Sequence, residues 1–502
     1  MYIFPNPAHS ISEVKRMFEK SIWSMSASGR MRPALQGDIR TDAVVIGAGM
    51  AGILTAHFLE QAGVQCVVLE ADRIGSGQTK NTTAKVTSQH SLIYEKLLQD
   101  VGAEKAQQYA RANQEAIERY RILARKYKNN VDWQDCPSYL YTNRDTKELK
   151  REYEAAKKLG IPAELVENIN LPFEVKQALK FEGQGQFHPL KFLYSIAEKL
   201  TVYEKTKVKY VEDQVVKTDQ GQVHAEHIVF ACHYPFQNRP GYYFMRMHQE
   251  RSYVSALAVG TTLEGMYYGI DKDGISLRQW GDNLLIGGGS HRTGKLGAGS
   301  PYDYLTHIAD SYWPGCPEVA RWSAQDCMTL DGIPYIGQYS SSTPNWYVAT
   351  GFRKWGMTSS MVSAMILSDL ICKRKSEYAE VFSPQRFRMQ TSMAPLLNES
   401  GHAVTGLLKQ LVGIPKEKLE GLRPGHGGIV EYEGSKYGVY KDELGVTYAV
   451  SARCPHMGCQ LQWNKVEKSW DCPCHGSRFD YRGKRLDEPA QEDIECHIGK
   501  GN

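Results

Sequence analysis

The sequence predicts an α/β dinucleotide-binding domain with an inserted α+β substrate region, followed by a small all-β domain. Three observations predict it. Asp42-Ala-Val-Val-Ile46 is an apolar run that ends in Gly47-Ala48-Gly49-Met50-Ala51-Gly52 and passes into a helical pattern, Ile53 to Gln61. Near the other end, Cys454-Pro-His456 and Cys472-Pro-Cys474-His475 each pair a cysteine with a histidine between strand-like stretches. The 502 residues also exceed one ordinary core, since about 100 to 200 residues per domain allows two to four domains.

Residues 1–40 read as an N-terminal extension and 41–382 as the first domain. Met1 to Arg30 lacks the basic start, apolar stretch and small-residue cleavage site of a signal peptide. In the strand-turn-helix unit the first glycine makes the tight turn, the second lets a pyrophosphate approach the backbone, and the third lets helix and strand pack closely. The helix N-terminus then faces the phosphate charge. Gln65 to Leu69 reads as the second strand and ends at Glu70, followed by Ala71; the Glu70 carboxylate can accept both ribose hydroxyls.

Insertions are expected at about 90–185 and 240–325. Ser91 to Lys128 shows helical spacing in two stretches, Ser138 to Thr142 is strand-like, and Asp145 to Leu159 is a charged helix stopped by Gly160 and Pro162. Lys191 to Leu200 reads as a helix, and strands near Val208 and at Ile228 to Ala231 return the chain to the first domain. Tyr253 to Val259, Met266 to Ile270 and Asn283 to Ile286 read as strands between glycine turns. Gly287-Gly-Gly289 with Gly294 is rejected as a nicotinamide site, because Ser290 to Ser300 reads as loop where a pyrophosphate needs a helix. Met361 to Lys373 reads as a closing helix.

Three further segments carry a resemblance: Arg73-Ile-Gly75-Ser-Gly77-Gln78-Thr79-Lys-Asn81-Thr82-Thr83, Asp331-Gly-Ile-Pro334-Tyr-Ile336-Gly337, and Tyr347-Val-Ala-Thr-Gly351-Phe352-Arg353-Lys354-Trp355-Gly356-Met357-Thr358. In this order they resemble the glycine oxidase and D-amino-acid oxidase (DAO) family of FAD enzymes. The resemblance implies bound FAD. It implies that the Arg73 to Thr83 segment wraps the flavin, and that Val208 and Ala231 lie along the dinucleotide. It also implies that Gly351, Phe352 and Lys354 to Thr358 present a helix N-terminus to the isoalloxazine, whose N1–C2=O edge gains negative charge on reduction. Lys354 takes the place of an arginine that relatives carry near the substrate carboxylate, and Arg353 is adjacent. His291 and Tyr243 are further candidates; Arg246, Arg251, Arg278 and Arg292 are alternatives that more often serve surface or packing. Some amine-oxidase relatives attach FAD through a cysteine ahead of the Asp-Gly segment. The spacing from Cys327 to Asp331 does not match theirs, so a buried small residue is expected there.

Residues 383–427 contain Ser383-Pro, Ile414-Pro and Arg423-Pro and read as a connector with a docking helix at Val404 to Val412; a membrane-surface helix is the rival reading. Residues 428–502 form the all-β domain, with Gly428 to Tyr440 and Leu444 to Ala452 as strands. A Rieske [2Fe–2S] centre holds one iron by two thiolates and the other by two imidazoles. Cys454, His456, Cys472 and His475 supply that set. Two Cys and two His also make a common zinc set, but zinc needs neither the additional Cys459 and Cys474 nor the Cys-Pro-Cys-His-Gly-Ser477 run. The pattern resembles the Rieske proteins of cytochrome bc complexes. That resemblance implies a Cys459–Cys474 disulfide bracing the two loops, a Ser477 hydroxyl bonded to a bridging sulfur, and Pro489-Ala490 in a loop beside the cluster. Phe479 stands where the highest-potential members carry tyrosine, so a potential below the top of the roughly −150 to +300 mV window is expected.

Composition fits this reading. A net charge of +4 without a basic run gives no sign of a nucleic-acid partner. No apolar run approaches the roughly 20 residues that span a bilayer. Of eleven cysteines, Cys66, Cys136, Cys232, Cys316, Cys327 and Cys372 are scattered singly, which suggests reduced thiols in a cytoplasm, with a peripheral membrane position as the alternative. The expected function is oxidation of an amine or amino-acid-like substrate by FAD. Electrons then pass to the Rieske cluster and on to a one-electron acceptor, whether soluble carrier, cytochrome or quinone. The cluster histidines are expected at the solvent edge. An oxygen-using oxidase with an auxiliary cluster and a non-catalytic redox sensor are the alternatives; a Rieske oxygenase is set aside because the chain ends at Asn502, short of a mononuclear iron domain.

Overall fold

The computed structural model describes residues 20–127, 131–260, 262–386, 422–432 and 435–499. Residues 1–19 of the extension and the helix expected at Val404 to Val412 lie outside the described residues.

The first sheet is built on Ile39–Ile46, whose inner half is wholly apolar and buried. It pairs in parallel with Cys66–Leu69 on one side and Gln222–Phe230 on the other, setting Val44 opposite both Val67 and Ile228. Gln222–Phe230 continues in parallel to Thr343–Thr350, and Cys66–Leu69 to Thr201–Tyr203. Strands buried on both faces are expected to be near-continuous apolar runs, which Cys66–Leu69 and the inner ends of Ile39–Ile46 and Gln222–Phe230 are. Helices Met50–Gln61 and Gly356–Ile371 pack side by side against this sheet and are apolar around most of their circumference, so both are interior helices.

A second, larger sheet runs in the order Glu318–Thr329, Met247–Ala258, Asn283–Arg292, Ser276–Trp280, Met266–Gly269, Gln134–Thr142, Gln177–Gln186 and Lys85–Val86. It thus draws strands from both insertions. Asn283–Arg292 extends past the expected Ile286 through the triple glycine, because Gly287 and Gly288 are paired with Met247–Ala258 and Gly287 also with Ser276–Trp280. The helices Tyr94–Asp100, Gly102–Lys126 and Lys147–Lys158 stand in the first insertion. Glu152, buried on the last of these, accepts the backbone N–H groups of Ile93, Tyr94 and Glu95 and so ties off the start of Tyr94–Asp100.

Two four-stranded antiparallel sheets make the C-terminal unit: Gly427–Tyr432, Ser435–Lys441, Thr447–Ser451 and Cys496–Gly499 in one, and Gln462–Asn464, Ser469–Asp471, Arg478–Asp480 and Arg485–Asp487 in the other. Trp470, Phe479 and Leu461 fill its core beside Cys454 and Cys472. No helix among the described residues is long and apolar enough to cross a membrane.

Candidate functional site

The nucleotide cradle is set by steric demands. Gly47 has φ +108°, and a methyl group on Gly52 would lie 1.9 Å from the Gly47 carbonyl oxygen, so the helix touches the strand end only because Gly52 lacks one. Met50–Gln61 starts at Gly49 without a side-chain cap. Thr79 accepts the Met50 N–H at 3.0 Å, which carries the Arg73 to Thr83 segment to that helix end. Glu70 accepts the N–H groups of Ala48 and Asp72, both at 2.8 Å, and burial pushes its carboxyl above the usual range. Each carboxylate oxygen keeps a lone pair for a ribose hydroxyl. Ala231 presents its carbonyl to Gly47, Val208 is buried at the start of its strand, and Gly351, at φ +72°, has no space for a β-carbon beside Thr329. Gly356–Ile371 also begins uncapped, after Trp355. These residues fit a bound FAD and would hold it.

On the substrate side, Lys354 is not the available cation that the sequence suggests. Its ammonium sits between Asp326 at 3.3 Å and Glu250 at 3.4 Å and donates to Ser252 at 2.8 Å. Burial opposes the charge, but the two carboxylates hold the Lys354 pKa above its usual value. Glu250 is pushed up by burial and pulled down further by His248 and Lys354, to about 2. Arg353 is placed differently: it takes a left-handed φ of +52° and lines a cavity of about 190 Å³ with His90, Lys96, His248 and Met328. A non-glycine residue held there stores on the order of 1–3 kcal/mol of strain, a common mark of functional sites. His90 stacks on Trp355 at 5.0 Å and bonds Tyr109 and Thr358, and burial drives its pKa down to about 3, so it is neutral.

Two predicted candidates fall elsewhere. Tyr243 is a core residue, donating to the Tyr339 carbonyl and packed on Tyr335 and Tyr339. His291 stacks on Tyr253 on the opposite face of the sheet from Lys354, because strand residues alternate sides. Arg251 and Arg278 are buried with structural partners: Arg278 donates to the carbonyls of Ala84 and Phe187. Cys327 is buried and touches His233. Glu250, Asp326, His90 and His248 escaped sequence reading, since no local motif marks them.

In the C-terminal unit the four predicted ligands converge. Cys454 and Cys472 are buried side by side, and the neighbouring thiol together with the Ser477 hydroxyl holds Cys454 below the usual thiol range against burial. The rings of His456 and His475 lie 4.9 Å apart. The Nδ1 atom of His456 is buried with no hydrogen-bond partner, while its Nε2 bonds Asn238, which is the arrangement of an imidazole whose inner nitrogen is reserved for a metal. Cys459 and Cys474 are joined as a disulfide with Cα atoms 6.6 Å apart. The donor set fits a [2Fe–2S] cluster. The histidines, however, do not face open solvent: His475 is 8 % exposed, His456 keeps only partial exposure, and the ring of Phe244 stands edge-on to both imidazoles at 5.9 and 5.7 Å. The C-terminal unit has docked its histidine side onto the first unit.

That seam is polar and buried. Arg251 pairs with Glu467, and Arg478 pairs with Glu467, Asp471 and Asp487 at 3.1, 2.9 and 3.0 Å. Gln78 of the flavin-wrapping segment reaches Asp487 at 3.2 Å. The strand Met247–Ala258 serves both sites. Glu250 and Ser252 point to Lys354, whereas Gln249 and Arg251 point to the loops of the C-terminal unit.

Comparison with known proteins agrees with this geometry. The family description "FAD dependent oxidoreductase" (DAO) matches residues 42–370, and "Rieske [2Fe-2S] domain" matches residues 415–497. YhfW of Bacillus subtilis (strain 168), named as a Rieske 2Fe-2S iron-sulfur protein, is 36 % identical over 489 residues, covering 94 % of this chain and 96 % of its own. Gamma-glutamylputrescine oxidoreductase of Escherichia coli (strain K12) is 24 % identical, over 67 % of this chain and 85 % of its own. The chloroplastic cytochrome b6-f complex iron-sulfur subunit of Fritillaria agrestis is 44 % identical over 52 residues, 10 % of this chain and 23 % of its own. Among solved structures, glycine oxidase from Geobacillus kaustophilus superposes with a TM-score of 0.59 at 18 % identity, over 70 % of this chain and 99 % of that one. The chain is therefore an FAD-dependent oxidoreductase of the DAO family carrying a C-terminal Rieske [2Fe-2S] domain.

Proposed function

We propose that the protein oxidises an amino-acid-like amine at the flavin and passes the electrons one at a time through the Rieske cluster to a one-electron acceptor. The observation that carries this reading is the shared strand Met247–Ala258, one face of which serves Lys354 while the other serves the cluster loops. Bound FAD would supply two-electron chemistry and the cluster one-electron chemistry.

The chain's own residues favour a substrate with both charges. Glu250 and Asp326 together outnumber Lys354 by one negative charge, which suits an ammonium group. Arg353 and Lys96 line the adjoining cavity, which suits a carboxylate, and His248 joins the two regions by lining the cavity while lying 3.6 Å from Glu250. The relative named for γ-glutamylputrescine supports an amine substrate. The closely packed seam would keep water from the space between the two centres.

Anaerobic mixing with a panel of amines and amino acids tests the reading. Bleaching of the flavin absorbance followed by growth of the reduced-cluster spin signal is expected. Bleaching without any spin signal would point to an oxidase that discharges to oxygen, and a panel that never bleaches the flavin would leave the substrate assignment without support.

A further inference from the structure

We propose that Gln249 and Asn238, both outside the Rieske domain, are positioning residues for the two histidine ligands and set the cluster's reduction potential in opposite directions. Gln249 is 1 % exposed and every polar atom of its amide is used. Its Nε2 donates to the carbonyls of His475 at 2.9 Å and Glu488 at 2.7 Å. Its Oε1 accepts from Gln325 at 2.8 Å and meets His233 at 3.2 Å. Two carbonyl partners on one side require the NH₂ group there, so the orientation of the amide is fixed by its neighbours. Gln325 repeats the pattern, donating to Gly476 at 2.7 Å, while its backbone N–H donates to Gln78. The loop cannot drift from this clamp: a β-carbon on Gly476 would already lie 2.6 Å from Gln249.

Asn238 acts on the other ligand. Its Oδ1 lies 3.1 Å from His456 Nε2 and accepts that N–H, while the imidazole's inner nitrogen is left for iron. An acceptor on the outer nitrogen makes a ligating imidazole more basic and favours the oxidised metal. A donor aimed at the ligand loop does the reverse, because reduction adds negative charge to the cluster. Gln249 therefore raises the potential and Asn238 lowers it.

This inference rests on the Cys/His site holding a [2Fe–2S] cluster and not on electron flow from flavin. The test is a mediated dithionite titration of the full-length holoprotein followed by the cluster spin signal, which reads the potential whether or not reduced flavin feeds the cluster. Gln249→Met, close in volume but without a donor, should shift the midpoint downward, and Asn238→Leu should shift it upward. Each change is expected to be on the order of tenfold in the oxidised-to-reduced ratio, or about 59 mV for a one-electron centre. The g-values should move with the potential while the flavin spectrum stays constant. Shifts of the same sign would indicate mere loosening of the site and overturn the proposal, as would no shift in either variant. If Gln249→Met fails to load its cluster, the sign of the Asn238→Leu shift decides the matter, because Asn238 is only partly buried and packs no core.

Discussion

A methyl group at Gly52 would meet the Gly47 carbonyl at 1.9 Å, so Gly52→Ala must push helix and strand apart where the pyrophosphate would bind. The variant is expected to purify with little or no flavin, read as the ratio of flavin to protein absorbance; a full complement in a folded variant would contradict the cradle. Lys354 offers a second residue-scale test. Lys354→Met strands two partly buried carboxylates, which costs about 1–3 kcal/mol, measurable by denaturant unfolding at neutral pH. The sign with pH follows from Glu250. In the wild type its folded pKa, about 2, lies below the ordinary 4.5, so its stabilisation is present above 4.5 and is lost as pH falls through the folded value. Without Lys354 the carboxyl loses its partner and its pKa rises, so the stability gap between wild type and variant should narrow as pH falls from 4.5 toward 2. Of these residues, Gly52 was legible in the sequence because its role is local. Glu250 and Asp326 were not, because only the pairing of Met247–Ala258 with Glu318–Thr329 puts them side by side.

Elements here are fastened by buried polar groups at their ends and loops. Glu152, reaching from Lys147–Lys158, receives three backbone N–H groups at the start of Tyr94–Asp100. Burial is the largest influence on its carboxyl and lifts the pKa from 4.5 to about 7, despite those three donors. A group raised on folding stabilises below its unfolded pKa and loses that contribution as pH rises through the folded value. The wild type should therefore lose stability between pH 4.5 and 7 relative to Glu152→Gln, read as the difference in unfolding midpoint across that range. A parallel pair of curves would refute the assignment. At the cluster loops, Cys459→Ser with Cys474→Ser removes the brace between the two ligand pairs. We expect a lower iron and sulfide content per chain and faster loss of the cluster on warming, with flavin content unaffected. The ligand loops were readable from spacing because each Cys and His pair lies within four residues. The extension of Asn283–Arg292 through its glycines was not, because flanking strands and not propensity keep it straight.

The whole molecule is two units held by charges that lie far apart in the chain. Arg251 and Glu467 are separated by 216 residues, which is why no sequence pattern announced the seam and why the histidines were expected in solvent. Their pairing leaves Arg251 3 % exposed. Arg251→Ala removes one of two guanidinium groups from a nest of three carboxylates, so the docked arrangement should weaken by about 3–5 kcal/mol. Two separate thermal transitions in place of one, and a larger radius of gyration in solution scattering, would report this undocking; a single unchanged transition would show that the remaining cross-seam hydrogen bonds, such as those of Gln249 and Gln325, suffice. Glu467 is held below the ordinary carboxylate range, against burial, by Arg251 and Arg478, so its stabilisation of the seam should be fully present above 4.5 and be lost only in stronger acid. Gly294 presses on Pro473 and Gly476 on Gln249, each with no gap for a β-carbon. Neither half can accumulate mutations there on its own account, so the two coding regions are bound to a common inheritance, and chimeras that graft this C-terminal domain onto a distant homologue should misassemble unless both contact surfaces travel together.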